Sequence, residues 1–194
     1  IASIQPDEWQ TILDKFLENK SEYIERMMIK ADLIRDGNVI KSDLGLNDVV
    51  ISAKNTARTV SLVVKSNDEL LCKLKSDGVI ISTPTGSTAY SASAGGPIIE
   101  PMMDAFVFTP INSFSLSSRP IVLNSDKIIN IEIEPCRTKE ICMIIDGQEP
   151  ISLKCGDQIK IMKYEKKVKL VSSSSNKFYD ALRSKLNWTG GPHA

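Results

Sequence analysis

The chain has 194 residues, 42% apolar and 25% charged, with 24 basic and 24 acidic side chains and a formal charge of zero. That length makes one ordinary domain or two very small ones, and the composition is that of a globular chain rather than a disordered one. The charge balance argues against a nucleic-acid or anionic-membrane partner, and no apolar run approaches the roughly eighteen residues that cross a bilayer. With no signal-peptide pattern, the chain is expected in the cytoplasm.

Residues 6–20 predict an amphipathic helix. Pro6 suits the first helical position, Asp7 and Glu8 suit the positive end of the dipole, and Trp9, Ile12, Leu13, Phe16 and Leu17 recur at helical spacing. The helix is expected to stop near Asn19. Strand character follows at 23–33 and 39–41, flanking the hairpin signal Asp36-Gly37, then at 49–51, 59–65 and 70–74. After a Gly- and Ser-rich centre, Ile129, Ile131 and Ile133 alternate with polar neighbours as a half-buried strand should. Strands are also expected at 141–145, 159–164 and 168–171. Ser172 to Ser175 reads as a linker, and Asn176 as the cap of a last helix with Phe178, Leu182 and Leu186 on one face. The fold expected is a mostly antiparallel β domain, mainly β (α+β), with a helix near each end. Each terminal helix needs a surface for its apolar stripe: this domain's own sheets, or a partner domain outside this chain.

The four cysteines, Cys72, Cys136, Cys142 and Cys155, have no paired spacing and read as reduced thiols. The single histidine, His193, lies in a terminal Gly-Gly-Pro-His-Ala tail. Histidine-based metal sets are therefore excluded, and a Ser-His or Cys-His pair would need that tail folded into a site.

The segment richest in chemistry is 76–97, Ser-Asp-Gly-Val-Ile-Ile-Ser-Thr-Pro-Thr-Gly-Ser-Thr-Ala-Tyr-Ser-Ala-Ser-Ala-Gly-Gly-Pro. A buried strand at 79–81 runs into a turn of small hydroxyl residues, and 88–94 has the composition of a short helix. Small residues let a ligand approach the backbone, and hydroxyls with a helix N-terminus offer donors to a phosphate. A packed Ser/Thr turn holding no ligand has the same composition. The segment is not a Walker A loop, since no Gly-Lys-Thr or Gly-Lys-Ser follows, nor a nucleophile elbow, since Gly-x-Ser-x-Gly is missing.

This run, from Asp77-Gly78 through Thr83-Pro84-Thr85-Gly86-Ser87-Thr88-Ala89-Tyr90 to Gly95-Gly96-Pro97, resembles the signature of the NAD kinase family. Leu46-Asn47-Asp48 resembles that family's Asn-Glu motif with aspartate in place of glutamate. Leu116-Ser117-Ser118-Arg119-Pro120, Asp146-Gly147-Gln148 and the closing Leu186-Asn187-Trp188 follow in the family's order. The resemblance covers almost the whole chain and implies the family's C-terminal β-sandwich-like domain. Residues 1–175 would form that NAD-binding domain, the helix at 6–20 leading in from a missing N-terminal α/β domain. Residues 176–194 would pack back on that missing domain. The family's Gly-Gly-Asp-Gly-Thr motif, with its catalytic aspartate, does not occur in this chain, so no catalytic residue is assigned and the chain alone is expected to be inactive.

The implied activity is phosphorylation of the adenosine ribose 2′-hydroxyl of NAD, giving NADP, with ATP or polyphosphate as donor and Mg²⁺ or another divalent cation. A homodimer or homotetramer is implied as the assembly. The rival functions are a non-catalytic dinucleotide-binding or regulatory module and a lipid-kinase-like relative. By resemblance Asn47 and Asp48 would bind the ribose hydroxyls, an amide donating to a diol while a carboxylate accepts from it. Asp77 would orient the nicotinamide half. Thr88, Ala89, Tyr90, Ser91, Ala92 and Ser93 would line the dinucleotide, with Tyr90 stacked on a base. Arg58 and Lys75 would neutralise phosphates, and Asn112 and Gln148 would make further contacts.

Overall fold

A computed structural model describes residues 8–55, 58–115, 117–135, 140–172 and 178–186. The predicted cap Asn176, most of the 172–175 linker and the His193 tail lie outside them. The chain divides into two units, 27–167 and the two ends, 1–26 with 168–194.

In the unit formed by the two ends, α1 (Trp9–Leu17) is shorter than predicted and ends before Asn19, whose positive φ of 56° stops the helix. Trp9, Leu13, Phe16 and Leu17 are exposed along it. β1 (Glu22–Arg26) pairs antiparallel with a strand at Val168–Ser172. The last helix, Phe178–Leu186, carries a buried Leu182.

In chain order the larger unit contains β2 (Ile29–Arg35), β3 (Asn38–Gly45), β4 (Asp48–Ala53), β5 (Val60–Ser66), β6 (Glu69–Ser76) and β7 (Gly78–Ser82). A 3-10 turn (Gly86–Thr88) and the four-residue α2 (Tyr90–Ser93) follow. Then come β8 (Ala105–Ile111), β9 (Ile121–Asn124), β10 (Ile129–Ile133), β11 (Ile141–Ile145), β12 (Ile151–Leu153) and β13 (Gln158–Lys163). The strand at 168–172 is β14, and the last helix is α3.

Two six-stranded antiparallel sheets result, ordered β3-β2-β13-β10-β5-β6 and β12-β11-β4-β7-β8-β9. Alternate residues of both contribute to one apolar core, including Ile29, Leu33, Leu62 and Ile131 from the first and Ile51, Ile81, Phe106 and Met143 from the second. The sandwich and a helix near each end are as expected. The predicted strand 23–33 is instead two, parted at Met27 and Met28. β8 was not expected: all of Ala105 to Thr109 is buried, so no alternation marks it, and Pro110 reads as a strand breaker. β9 and β12 are too short to show a period.

The centre of the second sheet is covered on both faces. All five residues of β7 are buried, and Val50, Ile80 and Val107 alternate with the core residues and point to the outer face. The 83–99 segment lies there. Ser91 Oγ meets Thr109 Oγ1 at 3.0 Å, and Ser87 Oγ accepts from the Ile99 N–H at 2.9 Å.

One ion pair pins the first sheet. Arg35 donates through Nε and Nη2 to the two carboxylate oxygens of Asp157, each at 2.7 Å, and the Lys154 N–H donates to Oδ2 at 2.7 Å. Burial pushes the Asp157 carboxyl up, but Arg35 and the Lys154 N–H outweigh it and hold it below the ordinary range. A depressed carboxyl stabilises the fold above its unfolded value, about 3.9, and this is lost as pH falls through the folded value. Asp157→Asn is therefore expected to lower the unfolding temperature at pH 7 and to lose its disadvantage towards pH 2, as read by calorimetry across that range.

Candidate functional site

Three loops meet at one end of the second sheet. Residues 46–48 lead into β4, 83–93 leave β7, and 146–148 leave β11. The register sets them side by side, with Asp48 opposite Ser82 and Val49 opposite both Ile81 and Ile145.

The first loop is gripped from two directions. The Asp146 carboxylate accepts three successive backbone N–H groups, from Leu46 at 2.6 Å, Asn47 at 2.8 Å and Asp48 at 3.0 Å. The Asp146 N–H in turn donates to the Asp48 carbonyl at 3.1 Å. From the other side the Thr83 N–H donates to the Asn47 carbonyl at 2.8 Å, and Thr83 Oγ1 donates to the Leu46 carbonyl at 2.5 Å. Gly86 closes the contact: a Cβ built there would lie 2.0 Å from the Asn47 carbonyl oxygen. Only glycine lets the 3-10 turn sit this close to the loop.

Asn47 is left half-buried at the rim. Asp48 is only 5% exposed, and no described residue donates a hydrogen bond to its carboxyl. Burial foremost, and the neighbouring Asp146 carboxylate second, push Asp48 from 3.8 up to about 6. A carboxyl with unfilled acceptor capacity beside an amide suits a diol.

The second loop forms a shelf. Ala89, Tyr90 and Ser93 are exposed, Tyr90 by 48%, while Thr88 and Ala92 are half-buried. Thr88 Oγ1 donates to the Thr85 carbonyl at 3.2 Å, and Thr85 Oγ1 is buried without a partner. Ser91 is fully buried and faces the sheet. α2 has only four residues and contributes little dipole, and the Ser87 and Ala89 N–H groups just before it are spent on the Thr83 and Gly86 carbonyls. Gln148 stands exposed on the third loop, beyond Asp146 and Gly147, whose φ values are 49° and 68°.

The remaining expected residues lie at the opposite end of β7. Asp77 precedes Gly78, accepts from Asn112 Nδ2 at 2.9 Å, and donates its N–H to the Ile111 carbonyl at 3.0 Å. Lys75 Nζ stands 5.5 Å from the centroid of the exposed Phe114 ring. Arg58 is exposed on the connection leading to Val60, which pairs with Ser76. Five strand residues separate this group from the Asn47–Tyr90 end, roughly 15 Å. The sequence thus predicts one site, and a single copy brings its residues together as two clusters. Sequence reading missed Thr83 and Asp146 as the grip on the 46–48 loop, although both stand inside motifs that it singled out.

Residues 46–173 match the family model for the ATP-NAD kinase C-terminal domain. The chain belongs to the ATP-NAD kinase family. An NAD kinase of Treponema denticola is 46% identical over 190 residues, 98% of this chain and 67% of that protein. That of Treponema pallidum strain Nichols is 42% identical, over 98% of this chain and 62% of its own length. The chain therefore spans about two thirds of the length of these curated relatives. Among solved structures, yeast NADH kinase complexed with NADH superposes with a TM-score of 0.89 at 26% identity, over 95% of this chain and 56% of that one. An NAD kinase from Archaeoglobus fulgidus in complex with ATP gives 0.76 at 24% identity, over 94% and 67%, and shares the fold. The match to the ATP-NAD kinase family covers every strand from β4 to β13, and so all three loops of the site.

Proposed function

We propose that this chain is the dinucleotide-holding part of an NAD kinase, an enzyme that transfers a phosphoryl group from ATP or polyphosphate to the adenosine ribose 2′-hydroxyl of NAD. The observation that carries this reading is the Asn47–Asp48 loop, fixed on both sides and set beside the shelf that exposes Tyr90. Asn47 would donate to the ribose diol, Asp48 would accept from it, and Tyr90 would cover a base face. The yeast relative's complex with NADH supports a pyridine dinucleotide as the ligand.

Phosphoryl transfer needs an in-line hydroxyl, neutralised phosphate charge and a base near the hydroxyl. Asp48 and Asn47 meet the first need by orienting the diol. The base belongs to the Gly-Gly-Asp-Gly-Thr motif of the family, which these 194 residues do not contain, so this chain on its own binds NAD without turning it over. Among the described residues no three His, Cys, Asp or Glu side chains converge as a metal site. Mg²⁺ would arrive on the donor's phosphates and neutralise their charge there.

A homo-oligomer is the assembly that uses both clusters, the Lys75–Asp77–Asn112 end of one copy completing the Asn47–Tyr90 end of another. Exposed Val39, Ile40 and Leu44 on edge strand β3, and Ile121 and Val122 on edge strand β9, offer apolar surface for it. A cytoplasmic location belongs to the same reading, and no described helix is long and apolar enough to cross a membrane.

The full-length protein incubated with NAD, ATP and Mg²⁺ is expected to form NADP, detected with an NADP-specific dehydrogenase. Saturable NAD binding without NADP formation by the full-length protein would instead favour a non-catalytic dinucleotide module.

A further inference from the structure

We propose that Asp146 is a positioning residue of the dinucleotide site, fixing the backbone that carries Asn47 and Asp48 without itself touching the ligand; the role assigned to that pair rests on the function proposed above. Three N–H groups in succession converge on its carboxylate, at 2.6, 2.8 and 3.0 Å. Leu46 and Asn47 make up the short connection between β3 and β4, and Asp48 is the first residue of β4. One side chain therefore satisfies the whole loop. The position is also prepared for it. Gly45 leaves the space, since a Cβ there would come within 3.0 Å of Asp146 Oδ1 and 2.8 Å of Ile145 Cγ2. Asp146 takes φ 49°, a conformation that aspartate tolerates better than most residues, and this directs its carboxylate back across β4.

The arrangement couples position to charge. A second carboxylate beside Asp48 opposes ionisation of Asp48, adding to the effect of burial. Among the described residues, Asp146 is the charged group that adds to burial in raising Asp48. If Asp48 accepts from the ribose diol, NAD affinity falls as pH drops through about 6, where Asp48 takes up its proton. Removing the Asp146 charge moves that fall to lower pH. A residue that served the fold alone would leave the pH profile in place.

The test uses the complete chain with Asp146→Asn, which keeps the shape and one acceptor oxygen. NAD affinity at pH 7.5, by calorimetry, is expected to weaken at least about tenfold, as the loss of a charge-assisted hydrogen bond implies. Its acid limb is expected to shift downward, and amide exchange at residues 46–48 to quicken while β11 and the rest of β4, 49–53, stay protected. A folded D146N with unchanged affinity, limb and exchange overturns the proposal. If D146N does not fold, the wild-type chain decides by NMR. The amides of Leu46, Asn47 and Asp48 should then show scalar coupling across the hydrogen bonds to the Asp146 carboxyl carbon, and its absence overturns the proposal. A wild-type chain that binds no NAD, yet shows quickened exchange in D146N, refutes the dinucleotide reading and leaves the positioning role standing.

Discussion

Asp48→Asn is expected to make the chain more stable at neutral pH while weakening its hold on NAD. The wild-type carboxyl sits buried at the head of β4, raised from 3.8 to about 6. The sign follows from linkage. Between about pH 4 and 6 the folded chain binds this proton more readily than the unfolded chain, so stability falls as pH rises through that window and stays lower above it. Two pKa units correspond to about 3 kcal/mol, and residual solvent contact reduces this to about 2. Asparagine carries no charge and removes this cost. D48N should therefore match the wild type near pH 4 and exceed it by about 2 kcal/mol at pH 7.5 in urea unfolding. Its NAD affinity should fall at least tenfold and lose its dependence on pH near 6, because a neutral amide cannot replace a charged acceptor for the diol. A D48N chain no more stable than wild type at pH 7.5 would show that Asp48 is not held in a desolvated, like-charged setting. A residue so placed trades folding stability for binding, a familiar pattern at functional sites.

Gly86→Ala should do damage of a different kind. Its Cβ would fall 2.0 Å from the Asn47 carbonyl oxygen, 2.4 Å from the carbonyl carbon and 2.7 Å from Cα. All three are backbone atoms held by the grip of Thr83 and Asp146, so neither side can yield cheaply. Overpacking in a core costs about 1–3 kcal/mol, and here the upper end is expected, about 3 kcal/mol. Relief comes only by parting the 3-10 turn from the 46–48 loop, which separates Tyr90 from Asn47. NAD binding should then be lost even at temperatures where circular dichroism shows the variant folded. A folded G86A chain with wild-type affinity would mean that the closeness of these two segments is irrelevant to the site.

Both variants show what the sequence made legible. The 83–97 signature and Asn47-Asp48 marked two segments that the fold sets side by side, because each is a compact string of unusual residues. The alternating isoleucines of β10 and the Asp36-Gly37 hairpin, with φ of 50° and 77°, were equally plain, since period and turn chemistry are local properties. The grip of Asp146 on residues 98 to 100 positions earlier was not local, and no spacing rule reaches across β4 and β11. Asp77 shows the converse. It stands six residues before Thr83 in sequence, yet β7 carries the chain across the width of the sheet between them, so neighbours in the motif become opposite ends of a strand. β8 escaped because a central strand buried on both faces has no polar side to alternate with.

The most direct test of the account is a nitrogen-15 NMR titration of the 194-residue chain with NAD at pH 7.5. Saturable shifts are predicted for the amides of 46–48, 85–93 and 146–148, the three loops that meet beside Ser82. Shifts that are absent at millimolar NAD, or that gather elsewhere, such as the groove of about 270 Å³ lined by Ser125, Lys127 and Tyr164, would contradict it.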